Sequence, residues 1–322
     1  MQNSNLNCIV LMILMLSALV SGCAGGKAEP AGQWVKYEGN PVLGGEKLGT
    51  VFDICVLKDR EGYKMYCSWR PRKSLALSVS ADGKNWSYPE IVLGPDDSSS
   101  WEDDLNRPVV VLKDGIYHLW YTGQADEQSR IGYATSVDGI NFTRQSKDPV
   151  ISPEEEWEKV AVMCPHVIWD EKERLFKMWY SGGEQYEPDA IGYATSKDGK
   201  SWDKHGGNPV FAADPASGWE QYKVTACQVI RRADGYLMFY IGFYDIDLAR
   251  IGMARSKNGM DGWERFSGNP IIYPTPDSSD ASATYKPFAI QEEDRWLLWY
   301  NGRNEHLEQI GLAVHEGTDL GF

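Results

Sequence analysis

Short apolar runs separated by turn-forming residues recur along the chain from residue 34 onward. In one stretch these runs are PVVVLK from Pro108, YHLWYTG from Tyr117, IGYATS from Ile131 and a longer run from Asn141. Runs rich in β-branched and aromatic residues favour strands. The Asp-Gly dipeptides between them tolerate positive φ and favour tight hairpins. The pattern predicts units of four antiparallel strands, and no stretch shows a helical period.

The strand pattern is one unit repeated five times. The phrases IGYATSVDG from Ile131, IGYATSKDG from Ile191 and IGMARSKNG from Ile251 follow each other at intervals of 60 residues. A fourth copy begins at Ile310 and a degenerate one at Leu75. Repeats at such a spacing indicate units that bury their apolar faces by stacking on their neighbours, as in solenoids and propellers.

The fifth unit lacks the phrase that supplies the fourth strand of its neighbours. That phrase reads WDKHGGNPVF from Trp202 and WERFSGNPII from Trp263, and its counterpart WVKYEGNPVL stands near the start of the chain, at Trp34. A closed ring whose last unit takes its outer strand from the chain start explains this displacement, whereas an open solenoid does not. We predict an all-β, five-bladed β-propeller over residues 34–322. Two packed eight-stranded sheets, the alternative, explain neither the period nor the displaced phrase.

The first residues of the chain are typical of an exported protein. Residues 8–20 form an apolar segment that leads into VSGC, which ends at Cys23. An apolar run of this length is typical of a signal peptide and is short for a membrane span. VSGC resembles a bacterial lipobox, so we interpret residues 1–22 as a lipoprotein signal peptide, Cys23 as the lipidated residue and residues 23–33 as a tether. The expected location is the bacterial cell envelope, and an ordinary secretory signal is the alternative.

The composition is that of an acidic globular protein. The formal net charge is −14, and an acidic surface repels phosphate backbones, which argues against nucleic acid as a partner. Four cysteines follow the tether, and we favour buried free thiols over the disulfides Cys55–Cys67 and Cys164–Cys227. No Cys or His spacing indicates zinc, and no cofactor is predicted, although an axial calcium ion is left open.

The starts of the five innermost strands supply the candidate site. Features that recur in every unit are explained by the scaffold, so equivalent positions with different chemistry are the ones to search. Aligning VFDICVLK, LNRPVVVLK, VMCPHVIW, VTACQVIR and TYKPFAIQ places five residues at one level of an axial funnel: Asp53, Arg107, Cys164, Ala226 and Lys286. Beside them stand Asn106, His166, Lys223 and Tyr285. Asp53 is the lone carboxylate at this level, and a structural ion pair with Arg107 or Lys286 is the alternative to a catalytic role.

The blade phrase IGYATSxDG, the GNPVL phrase and the MWY second strands resemble the five-bladed propeller glycoside hydrolases of families 43 and 32 and the mannoside phosphorylases of family 130. The resemblance implies a carbohydrate substrate, with Asp53 in the place of the general base or nucleophile. The further acids of families 43 and 32 are missing, since the corresponding positions read Arg107-Pro108 and Cys164-Pro165. The Glu-Asp-Pro-Arg signature of the phosphorylases is missing as well.

Glycoside hydrolysis needs a second carboxyl group to protonate the leaving oxygen. The second strand of each hairpin returns to the level where the first began, so the loops that follow it also rim the funnel. Candidates for the acid in these loops are Glu184, Asp245 and Glu305, followed by Asp103 and Asp104, and the rim also carries Asp126 and Glu127. Further predicted substrate contacts are Trp69, Arg70, Tyr244 and Arg303.

Three functions are compatible with these residues. We expect an exported glycoside hydrolase that acts on a polysaccharide or oligosaccharide in the axial funnel. A non-catalytic carbohydrate-binding surface lipoprotein is the alternative that the incomplete acid set favours. In the third, a cationic cluster of Arg107, Lys223, Lys286 and His166 holds the phosphate of a glycoside phosphorylase, or an acidic sugar.

Overall fold

Regular structure in this protein is almost entirely β. The computed structural model describes residues 34–186 and 188–322, so the predicted signal peptide, Cys23 and the tether lie outside the described residues. Within the described ranges the helical elements are two 3₁₀ turns, Arg70–Arg72 and Glu156–Glu158. No helix there is both long enough and apolar enough to cross a bilayer. The all-β class predicted from the sequence is confirmed.

The described part of the chain contains 21 strands. In chain order they are β1 (Val35–Lys36), β2 (Val51–Lys58), β3 (Tyr63–Trp69), β4 (Ser74–Ser80), β5 (Glu90–Leu93), β6 (Asp104–Lys113), β7 (Ile116–Ala125), β8 (Gln128–Ser136), β9 (Thr143–Arg144), β10 (Ala161–Asp170), β11 (Leu175–Gly183), β12 (Ala190–Ser196), β13 (Asp203–Lys204), β14 (Phe211–Ala212), β15 (Lys223–Arg232), β16 (Gly235–Phe243), β17 (Ala249–Ser256), β18 (Glu264–Arg265), β19 (Ala283–Gln291), β20 (Arg295–Asn304) and β21 (Leu307–Glu316).

Consecutive strands pair as antiparallel neighbours within each repeat. The groups β2 to β5 and β15 to β18 are separate four-stranded sheets, while β6 to β9 and β10 to β14 share one sheet through a parallel bridge between Ser129 and Ala161. In the last sheet β1 lies beside β21, with Val35 opposite Val314. The N-terminal strand therefore occupies the outer edge of the sheet formed by β19, β20 and β21. The number of blades and the closure of the ring stay predictions.

The Trp-Glu pairs that recur before the inner strands anchor their loops through a buried carboxylate. Glu102 is 1% exposed and accepts hydrogen bonds from the Tyr121 hydroxyl (2.7 Å) and from Arg144 Nε (2.7 Å). The equivalent sets are Glu158 with Tyr180 and Lys204, and Glu220 with Tyr240 and Arg265. A tyrosine of the second strand thus donates a hydrogen bond to each buried carboxylate, and a cation of the fourth strand neutralises its charge.

In the last sheet the cation of this arrangement comes from the other end of the chain. Asp280 replaces the glutamate and accepts hydrogen bonds from the Tyr300 hydroxyl (2.7 Å) and from Lys36 Nζ (2.6 Å). Lys36 belongs to β1, so this strand supplies the charge that β9, β13 and β18 supply elsewhere.

Neighbouring repeats pack on each other through their second strands. The Trp120 indole donates a hydrogen bond to the carbonyl of Gly199 in the next repeat (2.9 Å), and the Trp299 indole of the last repeat donates one to Gly83 of the first (2.8 Å). These glycines lie in the predicted Asp-Gly turns and have φ of 78° and 74°, a conformation that glycine adopts readily. The innermost strand of each repeat contacts that of the next, and β19 contacts β2.

Candidate active site

Each innermost strand is irregular at the level where the sequence predicts the site. The pairing of the first strand with the second shifts register at this point in all five repeats. The residue at the shift has positive φ in every repeat: Asp53 (50°), Arg107 (55°), Cys164 (53°), Ala226 (37°) and Lys286 (51°). Non-glycine residues in this conformation are strained. The five residues aligned from the sequence therefore occupy equivalent backbone positions.

Side chains of the preceding repeat hold four of these strained residues. The hydrogen bonds run from Arg107 N to Ser68 Oγ (2.8 Å), from Cys164 N to Thr122 Oγ1 (3.1 Å), from Ala226 N to Ser181 Oγ (2.8 Å) and from Asp53 N to Asn301 Oδ1 (3.1 Å). Ile241 takes the corresponding place in the fourth repeat and has no acceptor atom. Sequence reasoning missed these residues, although aligning the second strands as YCSW, WYTG, WYSG, FYIG and WYNG reveals the position.

All five residues converge on a small axial pocket. Asp53, Arg107, Cys164, Ala226 and Lys286 line this cavity, whose volume is about 40 Å³. One water molecule needs roughly 10–15 Å³ of such volume, so the pocket has room for water but not for a sugar ring.

Asp53 sits between two cations at this pocket. Its side-chain Oδ1 lies 3.6 Å from Lys286 Nζ, and its Oδ2 lies 3.9 Å from Arg107 Nε. The residue is 3% exposed, and Oδ1 accepts no hydrogen bond from the described residues. Lys286 Nζ is also 3.2 Å from Cys164 Sγ. The arrangement places an incompletely hydrogen-bonded carboxylate next to a cavity that accommodates water.

His166 also lines the axial pocket, but it bridges two strands. Its Nε2 is 2.9 Å from the carbonyl oxygen of Val229 and therefore donates the hydrogen bond. Gln228, the equivalent residue of the next repeat, likewise donates a hydrogen bond from Nε2 to the carbonyl oxygen of Ala289 (2.8 Å). Burial lowers the pKa of His166 to about 4, so the imidazole is neutral at neutral pH.

A larger cavity adjoins the axial pocket, and Arg107 lines both. This rim cleft has a volume of about 430 Å³, within the range of small-molecule sites. Its walls include Phe52, Arg70, Asp104, Asn106, Arg107, Gln124, Asp126, Glu127 and Tyr186. The Asn106 amide donates to Gln124 Oε1 (2.7 Å) and its oxygen accepts from Arg107, so both amides are held in place.

Asp104 is the carboxyl group of the rim cleft whose pKa is shifted in the direction that a general acid needs. Burial raises its pKa, and the nearby Arg70 and Arg107 offset only part of this rise. Asp104 therefore keeps its proton to higher pH than an exposed aspartate does. Asp126 and Glu127 are exposed at the tip of the β7–β8 hairpin.

The three acids ranked first from the sequence lie outside both cavities. Glu184 has a side chain that is 56% exposed, 2.9 Å from Lys159 Nζ. Asp245 accepts hydrogen bonds from backbone amides, including that of Leu248 (2.8 Å), and these lower its pKa, the opposite of what a general acid needs. Glu305 is exposed in the turn between β20 and β21.

Four cations predicted to contact substrate tie the rim loops of neighbouring repeats together. The contacts are Arg70 with Glu308 (3.2 Å), Arg107 with the carbonyl of Tyr186 (3.3 Å), Lys223 with Asp189 (3.5 Å) and Arg303 with the carbonyl of Asp247 (2.9 Å). Each cation fixes the position of a loop around the funnel. Arg70 and Arg107 also line the rim cleft.

The predicted aromatic contacts differ in exposure. Trp69 is 5% exposed, donates its indole N–H to the carbonyl of Leu48 (2.9 Å) and packs against Tyr88. Tyr285 is buried in an apolar cluster that includes Cys164. Tyr244 is 45% exposed and presents its ring at the rim.

The described ranges contain neither a disulfide nor a group of side chains suited to a metal ion. The four cysteines there are free thiols, as favoured from the sequence. No group of three or more His, Cys, Asp or Glu residues in the same ranges is arranged to hold a metal ion.

Comparison with solved structures shows which known proteins share this fold. A solved structure titled "Glycoside hydrolase" superposes with a TM-score of 0.71 at 18% identity and covers 90% of this chain and 92% of its own. A second, from work on mannoside phosphorylases and hydrolases of family 130, has a TM-score of 0.70 at 16% identity and covers 90% and 97%. Likenesses at this identity establish the fold.

Sequence relatives point to the same group of enzymes. The 1,2-beta-oligomannan phosphorylase of Thermoanaerobacter sp. (strain X514) is 26% identical over 242 residues, 71% of this chain and 75% of the relative. The family model described as "Glycosyl hydrolases family 32 N-terminal domain" matches residues 61–225, slightly more than half of the 322 residues. The chain therefore belongs to the glycosyl hydrolases family 32 N-terminal domain family.

Proposed function

We propose that this protein is an exported glycoside hydrolase that cleaves an oligosaccharide or polysaccharide in the rim cleft, at the mouth of the axial pocket of a closed five-bladed propeller. The observation that carries the proposal is the pairing of two cavities of different size at Arg107. One is large enough for sugar and holds a carboxyl group with a raised pKa, and the other admits water beside Asp53.

Closure of the ring is supported by contacts that join the first repeat and the start of the described chain to the last repeat. These are the hydrogen bonds of Asp53 N with Asn301, of Trp299 with Gly83 and of Lys36 with Asp280. Each has an equivalent elsewhere in this chain: Arg107 N with Ser68, Trp120 with Gly199, and Arg144 with Glu102. Five blades follow if every repeat contributes one.

The proposed reaction assigns one carboxyl group to each cavity. Asp104 donates its proton to the glycosidic oxygen as the bond to the anomeric carbon breaks. Asp53 accepts a proton from a water molecule in the axial pocket as that water attacks the same carbon. A base that activates water, rather than attacking the sugar itself, corresponds to an inverting hydrolase. Lys286 and Arg107 lie 3.6 Å and 3.9 Å from the two carboxyl oxygens of Asp53 and hold this side chain at the pocket.

A substitution of Asp104 tests this assignment. In Asp104→Asn we expect kcat on a cleaved oligosaccharide to fall by about 10²- to 10⁴-fold, the usual contribution of a general acid. In the wild type, kcat should decline as pH rises through the pKa of Asp104, above that of an ordinary aspartate. Asp103→Asn is the matched variant, since Asp103 is exposed and lies outside the rim cleft. The measurement is sugar release from a panel of oligosaccharides, with and without phosphate.

Two outcomes would replace the proposal with another function. Release of a sugar 1-phosphate that requires phosphate would identify a phosphorylase, which the cations at the axial pocket and the 26% identical phosphorylase favour. Binding without turnover in wild type and both variants would identify a carbohydrate-binding protein. The 3% exposure of Asp53 favours that candidate, because a buried ion pair suffices to explain the residue.

Export through a lipid anchor rests on the sequence around Cys23. We expect the mature protein to sediment with membranes and to incorporate radiolabelled fatty acid, because VSGC supplies the small residues and the thiol of a lipobox. Cys23→Ser should abolish the label. A wild-type protein that is secreted without label would indicate an ordinary signal peptide.

A further inference from the structure

Exposed apolar side chains are concentrated at one part of the funnel rim. Tyr186 is 68% exposed, Tyr222 49%, Tyr244 45% and Ile246 68%. All four lie in the loops of the third and fourth repeats, at the strand ends that face the rim cleft. Contiguous exposed aromatic rings cost solvation free energy, and such patches commonly mark binding sites.

The loops that carry these rings are connected to each other. Tyr222 N donates to the carbonyl of Phe243 (3.0 Å), and the Gln221 side chain donates to the carbonyl of Tyr244 (2.6 Å), so Tyr222 and Tyr244 are close neighbours. The ion pair of Lys223 with Asp189 joins this pair to the loop that holds Tyr186. Tyr186 itself lines the rim cleft. Tyr186 therefore lies at the proposed catalytic cavity, and the contacts between loops connect it to Tyr222 and Tyr244.

Cations hold two of the rings in place. Lys223 Nζ lies 5.1 Å from the centroid of the Tyr222 ring, and the Arg250 guanidinium lies 6.0 Å from that of Tyr244. Such contacts stabilise ring orientation. A tyrosine fixed in this way combines a flat apolar surface with a polar tip, which suits a ligand that is itself amphipathic.

We propose that Tyr186, Tyr222 and Tyr244 form an aromatic platform that binds the sugar rings of an extended carbohydrate chain beyond the rim cleft. The inference rests on the proposed function for the cleft and adds a second binding surface, on the third and fourth repeats, for the part of the carbohydrate chain that extends beyond the cleft. The C–H faces of pyranose and furanose rings supply the apolar surface that stacks on tyrosine, and their hydroxyls reach the flanking Lys223 and Arg250. A protein partner would need a wider apolar patch than these rings offer.

The platform is tested by retardation in native gels that contain yeast mannan, levan or arabinan. We expect at least one polysaccharide to retard the wild type, and Tyr222→Ala/Tyr244→Ala to weaken the apparent Kd about tenfold, because truncating stacked aromatic anchors commonly costs this much. Tyr222→Phe/Tyr244→Phe should retain most of the retardation, since stacking uses the ring. Tyr88→Ala is the matched control, with a tyrosine that is 66% exposed on the first repeat.

Chain-length dependence separates the platform from the cleft. If the enzyme turns over oligosaccharides, the double alanine variant should raise KM for a tetrasaccharide by a larger factor than for a disaccharide. Retardation that disappears in the alanine variant while all proteins lack turnover would support the platform and refute the proposed hydrolysis. The platform itself is refuted if no polysaccharide retards the wild type, or if the alanine variant and Tyr88→Ala bind as the wild type does. Circular dichroism confirms that each variant is folded.

Discussion

Five strained residues at the axial pocket raise the question of what holds them. Each non-glycine residue in the left-handed region costs about 1–3 kcal/mol and persists only where its surroundings hold it. Ser68, Thr122, Ser181 and Asn301 each accept the backbone N–H of such a residue in the next repeat. The strain at the site is therefore maintained by contacts between repeats.

Asp53 offers a prediction at the scale of a single residue. Asp53→Asn should lower the free energy of unfolding by about 3–5 kcal/mol, because it removes the carboxylate that lies between two buried cations. Asparagine tolerates the left-handed backbone, so the loss reports charge rather than strain. Urea denaturation monitored by tryptophan fluorescence measures it.

A second variant distinguishes this ion pair from other effects at Asp53. Adding Lys286→Met to Asp53→Asn should recover part of the stability, since one uncompensated charge is removed. A change below about 1 kcal/mol in Asp53→Asn would mean that the carboxyl group contributes nothing to the fold. Of the two roles considered for Asp53, a structural ion pair and catalysis, such a result would favour catalysis.

Which residues share the axial level could be predicted from the sequence, but their surroundings could not. The repeats supply an internal alignment, and this places Asp53, Arg107 and Lys286 correctly relative to one another. The loop acids have no such guide. Asp245 looks like a free rim acid in the sequence, yet its carboxylate accepts the amide of Leu248 to close its own turn. Trp69 looks exposed, yet its ring is buried.

At the scale of the strand, the alternation of apolar runs and turn residues was sufficient to predict the position of the first three strands of a repeat. PVVVLK lies in β6, YHLWYTG in β7 and IGYATS in β8. The fourth strands are shorter than the pattern predicts, and β9, β13 and β18 have two residues each. The short length of these fourth strands was not predicted from the sequence.

An asparagine side chain accounts for three of the short outer strands, β1, β13 and β18. In the Gly-Asn-Pro phrase, Asn208 Oδ1 accepts the backbone N–H of Tyr193 (2.8 Å) and its Nδ2 donates to the carbonyl of the same residue (3.1 Å). Asn269 pairs with Met253 in the same way, and Asn40 pairs with Leu312. The amide thus replaces a backbone ladder that proline cannot continue.

The whole molecule depends on the junction between its first and last strands. Lys36 Nζ bonds Asp280, the carbonyl of Tyr273 (2.6 Å) and Thr275 (2.7 Å), so one side chain ties β1 to the last repeat. Lys36→Met should lower the free energy of unfolding by about 3–5 kcal/mol, because the Asp280 carboxylate is buried. It should also speed hydrogen exchange in residues 34–43.

Lys204→Met is the matched variant for this junction. Lys204 neutralises Glu158 as Lys36 neutralises Asp280, so its loss should also destabilise the protein. Residues 34–43 should exchange as in the wild type, since Lys204 does not contact them. Equal exchange of residues 34–43 in the two variants would show that β1 is not held by the Lys36 contact.

Because β1 and β21 are hydrogen-bonded in one sheet, Val35 faces Val314 although almost the entire polypeptide separates them. The beginning and the end of the folded chain can consequently be linked by a short peptide, and new termini opened at an exposed hairpin tip such as Asp114-Gly115. Circular permutants of this kind would preserve the contacts between repeats while moving the proposed lipid tether to another position on the molecule. The orientation of the proposed sugar site relative to the membrane would thereby become a property that an engineer can choose.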